Sequence, residues 1–303
     1  MIAIDLGSNT IRFLQVDCKT KEVLYEYQKI VRTAEKLVHT GTVCDEAKIR
    51  IIDAINEAKK DIDFSSDKVK AVTTQAMRVA TNAKEILDEI EIKTGVIFEI
   101  IDGDIEAELT IDAVVNRLNI LNIKPKNGFA MIDIGGASTE IAFVNGSEIT
   151  AQSFPIGIVT LAEEFSTLEF LQSNILSRLA DIQDFVAKTN KNMDILVATA
   201  GTPTTIAAMK IGLDYESYDT KLINGVSLNQ LEIQNELENL LNMSEEKRFR
   251  SVGVGRSDLI ATGIILFGEI IKILGFSECI VVDDGLREGV AIAGCTKFSH
   301  THR

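Results

Sequence analysis

The chain is short of positive charge, proline, histidine and paired cysteines, and each shortage removes a class of function. Of its 303 residues, 31 are Lys or Arg against 45 Asp or Glu, a formal net charge of −14. Nucleic-acid binding needs a basic footprint, so that class is set aside. The same balance disfavours any polyanionic substrate unless Arg, backbone N–H groups and a divalent cation answer its charge locally. Three prolines in the whole chain argue against long disordered linkers. Of the histidines, His39, His300 and His302, the last two lie in a polar tail and give little support to a metal role. Cys18, Cys44, Cys279 and Cys295 show no CxxC spacing, which makes free thiols in a reducing cytoplasm the expectation. No signal peptide is recognisable, because the first apolar residues belong to a strand reaching Asp5. The apolar run 259–276 carries Glu269 and Lys272 and is short for a membrane span, so a buried helix explains it better. No membrane partner is therefore expected.

What is present is concentrated in one stretch, Met131-Ile-Asp-Ile-Gly-Gly-Ala-Ser-Thr-Glu-Ile-Ala-Phe143. Apolar residues lead to Asp133 as a buried strand does; two glycines, a small residue and two hydroxyls follow, and a second strand resumes at Ile141. Asn145-Gly146 begins the next turn. Such a glycine turn lets backbone N–H groups face a ligand closely. Asp133 and Glu140 would repel a phosphate unless a cation lay between, and Mg²⁺ accepts carboxylates, waters and phosphate oxygens together. The pattern occurs a second time as Asp5-Leu-Gly-Ser-Asn-Thr-Ile-Arg-Phe-Leu-Gln-Val-Asp17. A duplicated phosphate hairpin predicts two related α/β halves facing each other across a cleft.

Along the chain, 2–4, 11–16 and 23–30 read as a three-stranded meander. Residues 45–62 read as a helix with Ile49, Ile52, Ile55 and Ala58 at helical spacing. A short strand 69–73 leads through Thr74 into a single helix reaching about Lys93, with Arg78 in its first turns. After a strand at 96–101, Asp102-Gly103-Asp104 caps a helix 105–118 that holds Glu106 in its first turn, where the helix dipole favours an acid. Residues 122–128, containing Pro125, are the best linker, which gives domains 1–124 and 125–303, with the last helix free to pack back on the first. In the second half we expect a strand at 148–154, one long amphipathic helix 168–188, and a buried strand 195–199 running into Ala200-Gly-Thr-Pro-Thr-Thr205. That last arrangement, strand, Gly-Thr turn and helix N-terminus, suits a phosphate but is also an ordinary way for a strand to turn into a helix. A helix 227–241 with Ser227 as cap and Gln230 at the capping-box position, the apolar helix from Leu259, a strand 279–282 and a final helix after Arg287 complete the reading.

The segments Asp5-Leu-Gly-Ser-Asn-Thr with Arg12, 73–82 around Arg78, 101–107 around Glu106, Asp133-Ile-Gly-Gly-Ala-Ser-Thr-Glu140, Gly201-Thr-Pro-Thr-Thr205, 256–260 and Gly285-Leu-Arg-Glu-Gly289 resemble, in order, the motifs of the exopolyphosphatase/guanosine pentaphosphate phosphatase (Ppx/GppA) family. The likeness covers nearly the whole chain. It implies an α/β fold of two ribonuclease-H-like domains, as in the actin, Hsp70 and sugar-kinase superfamily, with an interdomain cleft, and it corresponds to a short, two-domain form. It also admits a homodimer. By the same resemblance Glu106 is the catalytic Glu that orients or deprotonates the attacking water, and Arg78 contacts phosphate. Asp133 and Glu140, with Asp5, are the acids for Mg²⁺ or another divalent cation. Gly7, Ser8, Asn9 and Thr10, with Gly135, Gly136, Ala137, Ser138 and Thr139, form the phosphate loops, and Gly201 and Thr202 a further phosphate turn. Three departures stand out, one of them Thr74 in place of the usual Ser after the first Thr of the Arg78 motif. Ala137 replaces a usual glycine, which is costly if that position needs positive φ, and Ile105 replaces a common Glu.

The expected activity is hydrolysis of a terminal phosphoanhydride of inorganic polyphosphate or guanosine pentaphosphate, with positioning and electrostatics carrying most of the reaction. The rival is a nucleotide- or polyphosphate-binding regulator with little turnover, supported only by Ala137 and Ile105. A sugar kinase fits less well, since no sugar-binding signature is visible.

Overall fold

In the computed structural model, described for residues 1–65, 68–189, 192–253 and 257–299, the chain divides into two compact units, Met1–Ala113 with Asp284–Arg303, and Val114–Asp283. The first contains β1 (Ile2–Leu6), β2 (Thr10–Val16), β3 (Val23–Ile30), α1 (Leu37–Thr40), α2 (Asp45–Ala58), β4 (Val69–Thr73), α3 (Gln75–Val79), α4 (Ala83–Thr94), β5 (Phe98–Ile100) and most of the first turns of α5 (Gly103–Ile120). The second contains β6 (Phe129–Ile134), β7 (Thr139–Asn145), β8 (Glu148–Phe154), α6 (Ile158–Glu164), α7 (Leu168–Arg178), α8 (Ala180–Thr189), β9 (Ile195–Thr199), α9 (Gly201–Lys210), α10 (Thr220–Ile223), β10 (Ser227–Asn229), α11 (Gln230–Asn242), α12 (Glu245–Val252), α13 (Ile260–Leu274) and β11 (Glu278–Val281). The last helix, α14 (Leu286–Ser299), belongs to the first unit.

The sheets have one plan. In the first unit the order is β3-β2-β1-β4-β5, an antiparallel meander continued by two parallel strands. In the second the order is β8-β7-β6-β9-β11-β10: the same five positions and the same directions, with β10 added antiparallel at the edge. Each is the ribonuclease-H-like arrangement that the family resemblance implies, the duplicated hairpin gives two related halves, and the repeats share their register. Asp5 pairs with Arg12 across β1 and β2, and Asp133 pairs with Glu140 across β6 and β7.

Burial explains why the segments adopt these elements. The central strands β1 and β6 are apolar nearly throughout because both faces are covered. Ala3, Leu14 and Val72 of one sheet face pack with Leu109 of α5 and with Leu286, Val290 and Ala291 of α14. The two helices approach so closely that a methyl added to Gly289 would meet the Leu109 carbonyl oxygen. In the second unit α13 is buried along nearly its whole length, as the apolar run 259–276 led us to expect. No helix among the described residues is long and apolar enough to cross a membrane.

Several local expectations are corrected. The stripe that α2 buries is Ala47, Ile51, Ala54, Ile55 and Ala58, while Ile49 is exposed. The single helix expected over 74–93 is two, broken at residues 80–82, because the Asn82 amide bonds both the N–H and the carbonyl of Val43. The helix expected over 168–188 is also two, meeting at the fully buried Leu179. Ser227 does not cap a helix but pairs in β10; the cap is Asn229, in a capping box with Glu232. The expectation of four free thiols fails too: Cys18 and Cys295 form a disulfide, leaving Cys44 and Cys279 as thiols. Cys18 follows β2 and Cys295 lies on α14, so the return of α14 onto β1 and β2 brings them together.

Candidate functional site

The two hairpin turns are built alike. In the first, the Gly7 N–H donates to the Thr10 carbonyl at 3.0 Å; in the second, the Gly135 N–H donates to the Ser138 carbonyl at 2.9 Å. In both, neighbouring backbone then takes up the turn's carbonyls. The Asn9 carbonyl accepts from Val31 and Arg32, and the Ser8 carbonyl from Ala34. The Gly135 carbonyl accepts from Ile158, and the Gly136 carbonyl from Val159, at the start of α6. By contrast, the N–H groups of Ser8, Asn9, Gly136 and Ala137 donate to no protein acceptor among the described residues. Backbone N–H groups left unspent in a turn whose carbonyls are spent make an anion-binding concavity. The Asn9 side-chain oxygen is buried without a partner in the same turn. Such an atom calls for a ligand, a water, or a flipped amide that offers N–H instead.

Ser138 and Thr139 are buried, and the Thr139 hydroxyl donates to the Ile156 carbonyl at 2.6 Å, so Thr139 fixes the turn rather than offering its hydroxyl. Gly157 is needed here. A methyl on it would come within 2.4 Å of the Ala137 nitrogen and the Gly136 carbonyl carbon. Ala137 is absent from the residues with positive φ, so its methyl carries no left-handed strain and the departure from glycine is mild.

The acids differ between the repeats. Asp133 and Glu140 stand directly opposite each other on one sheet face, where two like charges destabilise the pairing unless a cation or proton intervenes. Glu140 is buried and its Oε1 accepts from the Ser153 hydroxyl at 2.6 Å, which orients the carboxylate. Among the described residues no group of three or more His, Cys, Asp or Glu is placed to hold a metal by itself. A carboxylate pair fits Mg²⁺, which uses one or two carboxylates and completes its shell with water and phosphate oxygens. In the first unit the position across from Asp5 is Arg12, with Nη1 at 3.5 Å from Oδ2. Burial pushes the Asp5 carboxyl above its ordinary value, with Arg12 and Arg287 opposing and Glu288 reinforcing. A cation at Asp5 would have to share it with Arg12.

Arg78 and Glu106 meet. Arg78 Nη1 donates to Glu106 Oε2 at 2.9 Å and to the Ile101 carbonyl at 2.7 Å. Both side chains are largely buried. Asp102 caps α5 by accepting from the Ile105 N–H at 2.8 Å, which fixes Glu106 in the first turn. Ile105 is 41% exposed, so replacing a common Glu there changes the surface beside Glu106 and not its buried surroundings.

The third turn departs from expectation in detail. α9 starts at Gly201, inside the segment read as a turn, with Ala200 before it at φ 73° and ψ −175°. The first-turn N–H groups of Gly201 and Thr202 have no intrahelical acceptor and suit an anion. The Thr202 hydroxyl faces elsewhere: it is buried, unpartnered, and 2.4 Å from where a methyl on Gly263 would lie. Sequence reasoning missed two polar side chains that hold the predicted ones, Gln75 on Arg78 and Ser153 on Glu140. Only their nearness to the motifs could have drawn attention to them. Arg256 lies outside the described residues.

Residues 15–298 match the profile described as the Ppx/GppA phosphatase family. A solved structure of the Aquifex aeolicus family member is 30% identical, covers 99% of this chain and 98% of its own, and superposes with a TM-score of 0.77. Exopolyphosphatase 2 of Mycobacterium tuberculosis is 25% identical over 321 residues, 96% of this chain and 97% of that protein. Guanosine-5'-triphosphate,3'-diphosphate pyrophosphatase of Aliivibrio fischeri is 26% identical over 312 residues, and the chain, 98% covered, spans 60% of its length. A Streptomyces coelicolor relative, 30% identical over 166 residues, is likewise matched over 48% of its length.

Proposed function

This chain belongs to the Ppx/GppA phosphatase family, and we propose on that premise that it is a hydrolase of phosphoanhydrides, releasing orthophosphate from the end of inorganic polyphosphate, from guanosine pentaphosphate, or from both. The observation that carries this reading is the pair of hairpin turns, each with two N–H groups that donate to no protein acceptor among the described residues and two carbonyls bonded by neighbouring backbone. Each turn suits a phosphate group and answers locally the net negative charge of the chain.

Each unit has its own groups. In the first, Glu106 holds the attacking water and takes its proton, while Arg78 meets charge on the phosphoryl oxygens and keeps Glu106 in place. The N–H groups of Ser8 and Asn9 bind phosphate oxygens. In the second, those of Gly136 and Ala137 do the same, with Gly201 and Thr202 as a further N–H pair. Asp133 and Glu140 would hold Mg²⁺, which neutralises charge on phosphate oxygens when bound. The regulator alternative loses its support, since Ala137 is unstrained and Ile105 is exposed. The cytoplasm remains our proposed location; the Cys18–Cys295 bond is the feature that argues against a steadily reducing one.

The test is phosphate release by purified protein with Mg²⁺, comparing long-chain polyphosphate, tripolyphosphate and guanosine pentaphosphate. We expect release from at least one, and a loss of roughly 10²–10⁴-fold in Glu106→Gln if Glu106 is the general base. No release from any of them, or full turnover by Glu106→Gln, would overturn the hydrolase or the role of Glu106 respectively.

A further inference from the structure

A guanidinium has five N–H donors in a fixed fork, and the protein already uses four of those of Arg78. Nε and one N–H of Nη2 both donate to Gln75 Oε1, at 3.1 and 2.9 Å. Nη1 is divided between the Ile101 carbonyl and Glu106 Oε2, at 2.7 and 2.9 Å. One N–H, on Nη2, is left to meet a ligand. Gln75 opens the short helix α3 that carries Arg78, so the two are three residues apart on one face.

We propose that Gln75 is a positioning residue for the reaction. It clamps one edge of the Arg78 guanidinium, so that the opposite nitrogen stays on Glu106 and the remaining N–H stays on the phosphoryl group. The inference rests on the hydrolase reading above. The residue type matters as well as the reach. A carboxamide oxygen satisfies Arg78 without adding negative charge where a polyanion must bind, whereas a carboxylate would compete with the phosphate for the same cation. Unclamped, the long Arg side chain regains rotamer freedom and the near-attack geometry of Glu106 loosens.

Four variants and one spectrum test this. Gln75→Met keeps the shape and removes the acceptor, and we expect kcat to fall roughly 10-fold with the thermal midpoint unchanged, the size of effect a sub-ångström to ångström misplacement produces. Gln75→Glu keeps the acceptor and adds charge, so it should retain most of kcat and raise KM for the polyanion. In an Arg78→Ala background, Gln75→Met should cost nothing more, because the effect runs through Arg78. Wild-type kcat in Gln75→Met, or an equal further loss without Arg78, would overturn the proposal. The ¹⁵N–¹H resonance of Arg78 Nε is a readout independent of turnover. It should be sharp and protected from exchange in the wild type and lost in Gln75→Met. If the wild type released no phosphate, the hydrolase reading would fail, and that resonance would still decide the clamp: the same signal in both proteins refutes it.

Discussion

Ala200 and Ala137 each stand in a glycine-rich turn of the second unit, and replacing each by glycine should move stability in opposite directions. Ala200, at φ 73° and ψ −175°, occupies backbone space that is essentially reserved for glycine. Such strain costs about 1–3 kcal/mol. Glycine removes it and gives back about 0.4–1 kcal/mol through the freer unfolded chain. The expected balance for Ala200→Gly is a stabilisation of about 0–2.6 kcal/mol by these two ranges. Ala137 is buried and not left-handed. Ala137→Gly removes a buried methyl, about 0.8 kcal/mol, and adds the same unfolded-state freedom, so it should destabilise by about 1–2 kcal/mol. At about 2–4 °C per kcal/mol for a domain of this size, scanning calorimetry should see Tm of the second unit rise by a few degrees in one variant and fall by a few in the other. A fall in Ala200→Gly would refute the strained turn. A rise in Ala137→Gly would mean that position does prefer left-handed backbone, and would reopen the regulator reading.

Gly157→Ala should cost about 1–3 kcal/mol as an overpacked contact and impair turnover as well, because the added methyl meets the backbone of Gly136 and Ala137 rather than a movable side chain; denaturant midpoints and phosphate release together check it. Ser153→Ala should leave Glu140 in place but less well oriented, raising the Mg²⁺ concentration needed for half-maximal turnover about 10-fold or more, the usual effect of losing an outer hydrogen bond to a ligand; an unchanged Mg²⁺ titration refutes that. Reducing Cys18–Cys295 should lower stability by about 2–5 kcal/mol, and Cys295→Ser should lower it equally while making dithiothreitol without further effect. Of the two thiols, Cys44 should react with a maleimide at pH 8, while Cys279, whose thiol burial pushes up to about 12, should react only on unfolding; mass spectrometry of the labelled native protein counts them.

The hairpins were legible because their signals are local. A strand period, a glycine turn and a second strand fix the pairing, and a repeated pattern fixes it twice. What the sequence hid was decided at a distance. Nothing between Thr74 and Lys93 announces a break, yet Asn82 exchanges two hydrogen bonds with Val43 on a separate segment and the helix stops there. Ser227 and Asn229 both begin plausible capping patterns, and pairing of Ser227–Asn229 with Glu278–Ile280 selected the later one. Cys18 and Cys295 are 277 residues apart, and only the return of α14 to the first sheet makes them neighbours. The site followed the same division. Arg78 and Glu106 were nameable from their motifs, but their ion pair depends on β5 and α5 bringing Ile101 and Glu106 beside α3.

The duplication also shows where the two halves stopped being interchangeable. Sheet order, register and turn closure are common to both, down to the N–H of Gly7 and Gly135 reaching the carbonyl three residues on. The difference lies at the residue opposite the first Asp. In the first unit Arg12 lies across from Asp5, with its Nη1 at 3.5 Å from Oδ2. In the second, Glu140 opposes Asp133, so an acid stands where the first unit has an arginine. One cross-strand position therefore separates an acid–arginine pair from a pair of acids.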